Sequence, residues 1–313
     1  HALAFQRLED EGLTRVTHVD VQRRANATSA RLAALGVKKG DRVVLSAQNH
    51  PDWAIAYFGI VRLGATAVPV DPALEAQPFE NVIRESEARV LVWDAHVEKH
   101  AGALLRDRVS DVATIVDLHE LTAELEGAVA PDVEVLPDDV ASLIFTSGTT
   151  GKPKGVRLSH GNFTAMAASL APLFPLTHRD RILSVLPLHH TFEFSCGLLL
   201  PYSRGARVIY LDELNGDKLT RGLKEGRVTG MVGVPAVWQL LERRRGVHEL
   251  HTVEAVEYGE GSGHGYSRQA RQPTLTASRR RRHRWSWSAG RRVPIPASSS
   301  DSSLRSKGSR PSL

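Results

Sequence analysis

Apolar positions between Val19 and Trp93 fall into two alternating spacings. Val19 to Leu35 places apolar and small residues three and four apart, the period of one helix face, and Gly36 supplies the stop. A Lys38-Lys39-Gly40-Asp41 turn leads to a short apolar run at Val43–Leu45, which predicts a buried strand. Pro51 suits the first turn of a helix over Asp52 to Leu63, and Gly64 closes it. Ala65–Val70 predicts the next strand, broken at Asp71-Pro72. A helix over Phe79 to Glu87 and a strand over Arg89–Trp93 come next. Helix and strand in alternation point to parallel β-structure joined by crossover helices.

Glu120 to Asp138 is acidic and rich in Val and Pro, and reads as an irregular connector. After it the chemistry changes. An apolar run, Leu143–Phe145, and an alternating run, Val156–Leu158, flank Thr146-Ser-Gly-Thr-Thr-Gly-Lys-Pro-Lys-Gly155. Two strands joined by a glycine-rich loop are expected here. The loop holds three glycines, four hydroxyl residues and two lysines. Glycines let backbone N–H groups approach a polyphosphate, hydroxyls donate hydrogen bonds or meet a metal, and lysines bring positive charge. A Walker A loop is excluded. Gly151-Lys152 is followed by Pro153, so the magnesium-binding hydroxyl is missing and no helix starts there in the usual way.

Ser159 is a good N-cap for a helix from His160 to about Leu170, and His160 reads as a histidine making local hydrogen bonds at that helix start. A strand over Ile182–Leu186 ends at Pro187, which leaves His189 and His190 at its carboxyl end. Ligands collect at such ends in open α/β sheets. From the residues alone, this pair is either functional or a structural loop pair. Cys196 precedes an apolar helix and reads as core. Gly205–Asp212 predicts a strand and Asp217 to Glu225 a helix. A further strand ends at Val234-Pro235, where another helix begins; Ala236, Val237 and Trp238 on it are pocket wall or plain core.

Composition sharpens this in two respects. The net charge of +5 over 313 residues is not spread evenly. Residues 246–313 carry 12 Lys/Arg against 5 Asp/Glu, and the remainder carries 28 against 30. The first 245 residues therefore look like a slightly acidic enzyme, not a nucleic-acid binder. No window of 18 apolar residues exists, so no transmembrane helix is expected, and the start at His1 shows no charged-then-apolar signal segment. One cysteine excludes an internal disulfide and fits a reducing, cytoplasmic setting.

From about Val247 both periods vanish. His264 to Leu313 is rich in Arg, Ser, Gly and Pro, with four arginines at 279–282 and the pair Trp285 and Trp287. Such a segment buries too little surface to offset its ordering entropy, so a disordered tail is expected. Two origins stay open: a basic tail for nucleic acid or anionic lipid, or out-of-frame translation of a GC-rich gene.

The stretch Thr146–Gly155 resembles, without a gap, the phosphate loop of the AMP-forming acyl-CoA synthetases. That adenylate-forming superfamily includes acyl-CoA ligases, firefly luciferase and nonribosomal peptide adenylation domains. The resemblance extends over roughly residues 15–245, through Gly36-Val-Lys-Lys-Gly-Asp-Arg-Val43, Asn49-His-Pro-Asp-Trp53, Leu63–Pro72, Pro137–Ile144, Leu158–Asn162 and Arg181–Glu193. Leu186-Pro-Leu-His-His-Thr-Phe-Glu193 leans toward the long-chain fatty acid–CoA ligases. The fold implied is an incomplete large N-terminal domain: α/β, with doubly wound, mostly parallel sheets flanked by helices. Residues 1–245 would form this partial adenylation domain and 246–313 the tail.

The resemblance implies a reaction in two halves. A carboxylate attacks the α-phosphate of ATP, giving an acyl-adenylate and pyrophosphate; a thiol, usually coenzyme A, then displaces AMP. It assigns Thr146, Ser147, Gly148, Thr149, Thr150, Gly151 and Lys154 to the phosphates, with Lys152 at a variable position, and Thr149 and Thr150 to Mg²⁺. His190 maps to the histidine near the carboxylate, the one candidate catalytic residue. His189, Phe192, Glu193, Val234, Pro235 and Trp238 map to the substrate pocket. Expected partners are fatty acid, ATP and coenzyme A, with peripheral membrane contact through a lipid substrate and no nucleic acid. Residues 1–136 are expected to be scaffold.

Family parts that grip the nucleoside, and the small C-terminal domain with its catalytic lysine, have no counterpart here. Tyr258-Gly259-Glu260 comes too early and lacks a following Thr-Glu, and reads as coincidence. The chain as written is therefore expected not to form acyl-CoA. Two other readings stand beside the fatty-acid ligase: adenylation of an amino or aryl acid, and a non-catalytic nucleotide- or nucleic-acid-binding remnant.

Overall fold

Alternate residues of the parallel strands face different cores, and that alternation sets the layering. The computed structural model describes residues 2–111, 113–146, 154–211, 213–242 and 254–257. In β4 (Arg42–Ser46), Val43 and Leu45 enter one core and Val44 another, as the two-residue period of a strand requires. In β11 (Arg207–Leu211), Val208 and Tyr210 join the first of these cores while Ile209 and Leu211 enter a third.

The shared core also takes Val21 and Leu32 from α1 (His18–Ala34) and Trp53, Ile55 and Ile60 from α2 (Pro51–Arg62). A helical layer thus lies between two sheets. Outside the first sheet, α3 (Ala76–Ser86) contributes Phe79, Val82 and Ile83. Outside the second, the helix Gly216–Glu225 contributes Leu219 and Leu223.

The first sheet runs β7-β6-β4-β5-β8-β9, from β5 (Thr66–Pro69), β6 (Val90–Trp93), β7 (Thr114–Asp117), β8 (Val140–Thr146) and β9 (Lys154–Ser159). Its pairings are parallel except β8–β9, an antiparallel pair with Thr146 opposite Lys154. The second sheet runs β13-β12-β10-β11-β1-β2. Its strands are β1 (Leu3–Glu9), β2 (Gly12–Leu13), β10 (Arg181–Ser184), β12 (Gly230–Gly233) and β13 (Glu254–Glu257), with β3 (Val16–Thr17) beside β1. The expected fold class, doubly wound and mostly parallel with flanking helices, is the one found.

Local signals explain the element ends. Thr17 opens α1 with a reciprocal cap: its hydroxyl accepts from the Asp20 amide at 3.2 Å, and the Asp20 carboxylate accepts from the Thr17 amide at 2.8 Å. After α2 the chain turns at Gly64, whose φ of 71° is left-handed and whose Cβ position is 2.9 Å from the Lys39 side chain, so glycine alone fits without strain.

Four features differ from the sequence reading. β1 has no counterpart in it, because its partner β11 lies some two hundred residues away, with Phe5 opposite Val208. The connector expected from Glu120 to Asp138 begins inside a short helix, Leu118–Thr122. The strand expected over Ile182–Leu186 ends at Ser184, where the chain turns toward Pro187. β13 lies within the stretch where no period is visible, its four residues being too few to register one; it runs parallel to β12. The tail beyond 257, with the Tyr258–Glu260 step, lies outside the described residues.

Candidate active site

The carboxyl ends of the two sheets meet. β4, β5 and β6 are parallel, so Asn49, Asp71 and Asp94, just past their ends, share one rim. Across from them lies the turn after β10. Asn49 Nδ2 donates to the Leu186 carbonyl at 2.7 Å, and the Leu188 amide donates to Asn49 Oδ1 at 2.9 Å. His189 Nε2 lies 3.9 Å from Asp71 Oδ2. The turn itself closes through the His190 amide, which donates to the Pro187 carbonyl at 3.0 Å.

The two histidines of this turn differ. Their rings are 4.3 Å apart. His189 is largely enclosed, with 10 % of its side chain exposed. Burial, with His190 beside it, pushes its pKa down to about 4 against the pull of Asp71. It is a neutral ring at pH 7. His190 is exposed. It occupies the N-cap position of the short helix Thr191–Glu193, yet its side chain makes no cap hydrogen bond. Of the pair, His190 is the ring that can meet a ligand, and His189 is its backing.

The remaining pocket candidates separate. Phe192 and Val234 are partly buried against the outer core of the second sheet. Pro235 is exposed and Val237 buried; the Trp238 side chain lies outside the described residues. Glu193 is fully buried. A Cβ on Gly197 would fall 2.1 Å from Glu193 Oε1, so the carboxyl fills the space that glycine leaves. It therefore sits beneath the rim rather than on its surface. Burial pushes its pKa up to about 8, offset in part by the Ser184 hydroxyl and the Leu186 amide. Cys196, half-buried nearby, has its thiol pushed up to about 11 by burial and Glu193, so it is no thiolate nucleophile at neutral pH. That agrees with its reading as core.

β8 ends and β9 begins at the same rim, because β8 runs parallel beside β5. Buried contacts fix β8: Tyr57 and Ser142 share a hydroxyl hydrogen bond of 2.8 Å, and Thr66 Oγ1 donates to the Val140 carbonyl at 2.9 Å. Thr146 and Lys154 end the two strands, and Lys154 is exposed. Ser147, Gly148, Thr149, Thr150, Gly151 and Lys152 lie outside the described residues. After β9, Ser159 caps the helix His160–Leu170 as expected. His160 Nε2 is buried there, and burial lowers its pKa.

Sequence reasoning left one cluster unseen, in the region read as scaffold. Asp52 Oδ1 accepts from Arg24 at 2.5 Å, and its Oδ2 lies 2.7 Å from His119 Nδ1. His50 Nδ1 accepts from the Asp52 amide at 3.0 Å, capping α2. Burial alone would raise the Asp52 carboxyl, but His50, Arg24 and His119 outweigh it and hold the group well below the usual carboxylate range. These ligand-type atoms lie within 4.8 Å of one another. Each is already engaged, His50 as a cap and Asp52 by a guanidinium, so the cluster is an ion-pair network. Nothing in the spacing of these residues signals it, and the cap made by His50 is seen only in the fold.

Both the sequence and the fold have known counterparts. The family model described as AMP-binding enzyme matches residues 2–296. The long-chain-fatty-acid–CoA ligase FadD13 of Mycobacterium tuberculosis is 30% identical over 249 residues, 78% of this chain and 48% of that protein. The inhibitor-bound N-terminal domain of FACL13 from the same organism superimposes with a TM-score of 0.73 at 26% identity, covering 83% of this chain and 72% of that one. The O-succinylbenzoate coenzyme A synthetase MenE of Bacillus subtilis, in complex with ATP and magnesium ion, gives 0.68 at 28% identity, covering 78% and 49%. The chain spans about half the length of the curated relatives it matches.

Proposed function

The chain belongs to the family of AMP-binding enzymes, the AMP-forming acid–CoA ligases, and we propose that it carries the phosphate- and carboxylate-binding part of a ligase that activates a fatty acid with ATP. The observation that supports this most is the shared rim. Thr146 and Lys154, between which the hydroxyls, glycines and Lys152 fall in sequence, and the His189–His190 turn lie at the carboxyl ends of parallel strands.

In this reading the fatty-acid carboxylate lies beside His190 and attacks the α-phosphate of ATP. A carbon–oxygen–phosphorus link forms, the bond to the β-phosphate oxygen breaks, and pyrophosphate leaves. Backbone amides and hydroxyls of Thr146–Gly151, with Lys154 and Lys152, hold the charge that grows on the leaving phosphates. The Thr149 and Thr150 hydroxyls are hard oxygen donors of the kind magnesium takes, and bound magnesium would neutralise phosphate charge there. Coenzyme A is the proposed second substrate. Among the described residues no helix is long and apolar enough to cross a membrane; peripheral membrane contact through a lipid substrate belongs to the proposal. Phe192 and Glu193 in the Leu-Pro-Leu-x-His-x-Phe-Glu run favour a fatty acid over an aryl or amino acid.

Calorimetry with the full chain tests the reading. Mg·ATP should bind, and Lys154→Ala should weaken it about tenfold or more, as loss of a charge-assisted contact does. Laurate should raise the melting temperature more than 2-succinylbenzoate does. Equal nucleotide affinity in the variant would remove the phosphate assignment, and preference for the aryl acid would remove the fatty-acid one.

A further inference from the structure

We propose that Asn49, on the first sheet, is a positioning residue for the His189–His190 turn on the second. The inference rests on the carboxylate-binding role given to His190, and on geometry that stands without it.

A side-chain amide offers a donor and an acceptor a fixed distance apart, as a peptide group does. Asn49 uses both on one short piece of backbone: its Nδ2 donates to the Leu186 carbonyl, and its Oδ1 accepts from the Leu188 amide. Between these two lies Pro187, which has no N–H to satisfy. The amide therefore straddles the proline and pairs with this backbone as a neighbouring strand would, at a point where β10 has already ended. Leu188 is buried in the core shared by the two sheets, so its amide has little water to turn to.

Asn49 is itself fixed on both sides. The Gln48 amide donates to Asp94 Oδ2 at 2.9 Å, and His50 caps α2 through the Asp52 amide. Its reach across 137 residues of sequence ties the end of β4 to the start of the histidine turn. The groups that face His189 are Asp71, past the end of β5, and His190. Releasing the turn would move the His189 ring out of its enclosure and shift His190 with it.

The test uses the full chain with ring nitrogens of histidine labelled and followed by NMR, together with calorimetry. Asn49→Ala removes both hydrogen bonds; Asn49→Asp keeps the acceptor for the Leu188 amide and loses the donor to Leu186. In Asn49→Ala the His189 ring should titrate nearer the ordinary histidine value than the value of about 4 it has now. Laurate affinity should fall about tenfold while Mg·ATP affinity holds. Asn49→Asp should lie between, and reports in place of the alanine variant if that fails to fold. In a His190→Ala background Asn49→Ala should cost no further laurate affinity, as expected of a residue acting through that ring. An unchanged His189 titration in either folded variant overturns the proposal. So does equal loss of laurate and nucleotide binding, which would mark a general loss of structure. If the unaltered chain binds no laurate, the substrate reading fails, and the His189 titration alone decides the role of Asn49.

Discussion

Asp52 and Glu193 are both buried carboxyls, one under the first sheet's rim and one under the second's, and their surroundings drive them in opposite directions. Asp52 is ringed by Arg24, His119 and His50 and is held as a carboxylate. Glu193 lies against Gly197, with the Cys196 thiol and the Tyr210 phenol near it and, among the described residues, no cation to offset its burial, and its pKa rises to about 8. Under the first rim the buried carboxylate has its partners and works as an anchor. The second holds a neutral histidine and a protonated acid close to the surface that a ligand would meet. Buried groups without full compensation cost stability, and sites tend to keep them where chemistry needs them.

The largest effect should come from breaking the paired side. Asp52→Ala leaves Arg24, which also donates to the Thr122 carbonyl at 2.8 Å, without its carboxylate in a mostly buried position. Removing one partner of a buried ion pair costs about 3–5 kcal/mol. Urea unfolding should show a loss of that order, with the Arg24→Ala, Asp52→Ala double variant recovering part of it. The pH dependence has a definite sign. The folded-state pKa of Asp52 lies below its ordinary 3.8, so its contribution is present above about pH 4 and disappears as pH falls.

Glu193 should give the opposite slope and a smaller effect. Its folded pKa of about 8 exceeds its ordinary 4.5, so between these values the folded chain binds more protons than the unfolded one. Stability should fall as pH rises from about 4.5 to about 8 and level off above. Glu193→Gln keeps the shape and removes the titration. Melting temperatures measured across that range should slope downward for the unaltered chain and run flatter for the variant. Parallel profiles would mean that Glu193 is charged in the folded chain, and that the two rims differ less than described.

The same contrast explains which parts were legible in the sequence. From α1 to β6 helix and strand alternate with short connections, so periodicity and the Pro51 and Gly64 signals suffice. The histidine turn is also readable, since an apolar run that gives way to Pro187 places the next few residues past a sheet's carboxyl end, although the strand itself stops at Ser184. The role of residues 1–136 is not readable, because it acts at long range: Asn49 on Leu186, Asp71 on His189, β1 on β11. Nothing local in Asn49-His-Pro-Asp52 distinguishes a strut from an ordinary helix entry. The burial of Glu193 is not readable for a related reason. It stands two residues from exposed Thr191, and the space that its carboxyl fills is left by Gly197, one helical turn on.

The smallest difference to be sharpened lies in two helices that begin alike. α1 opens with Thr17 and Asp20, and the helix His160–Leu170 opens with Ser159 and Asn162, each as a reciprocal cap. They differ in burial: α1 buries Val21, Ala25 and Leu32 among others, and the second helix buries Phe163. Removing either capping hydroxyl should cost about 1 kcal/mol. The cost should be distributed differently, because a helix with little tertiary packing depends on its end for local stability. In Ser159→Ala, amide hydrogen exchange should quicken through the helix 160–170 with little change elsewhere. In Thr17→Ala, protection of α1 should fall only as far as global stability falls. Equal local fraying in both helices would mean that the packing of α1 protects it no better than its cap does.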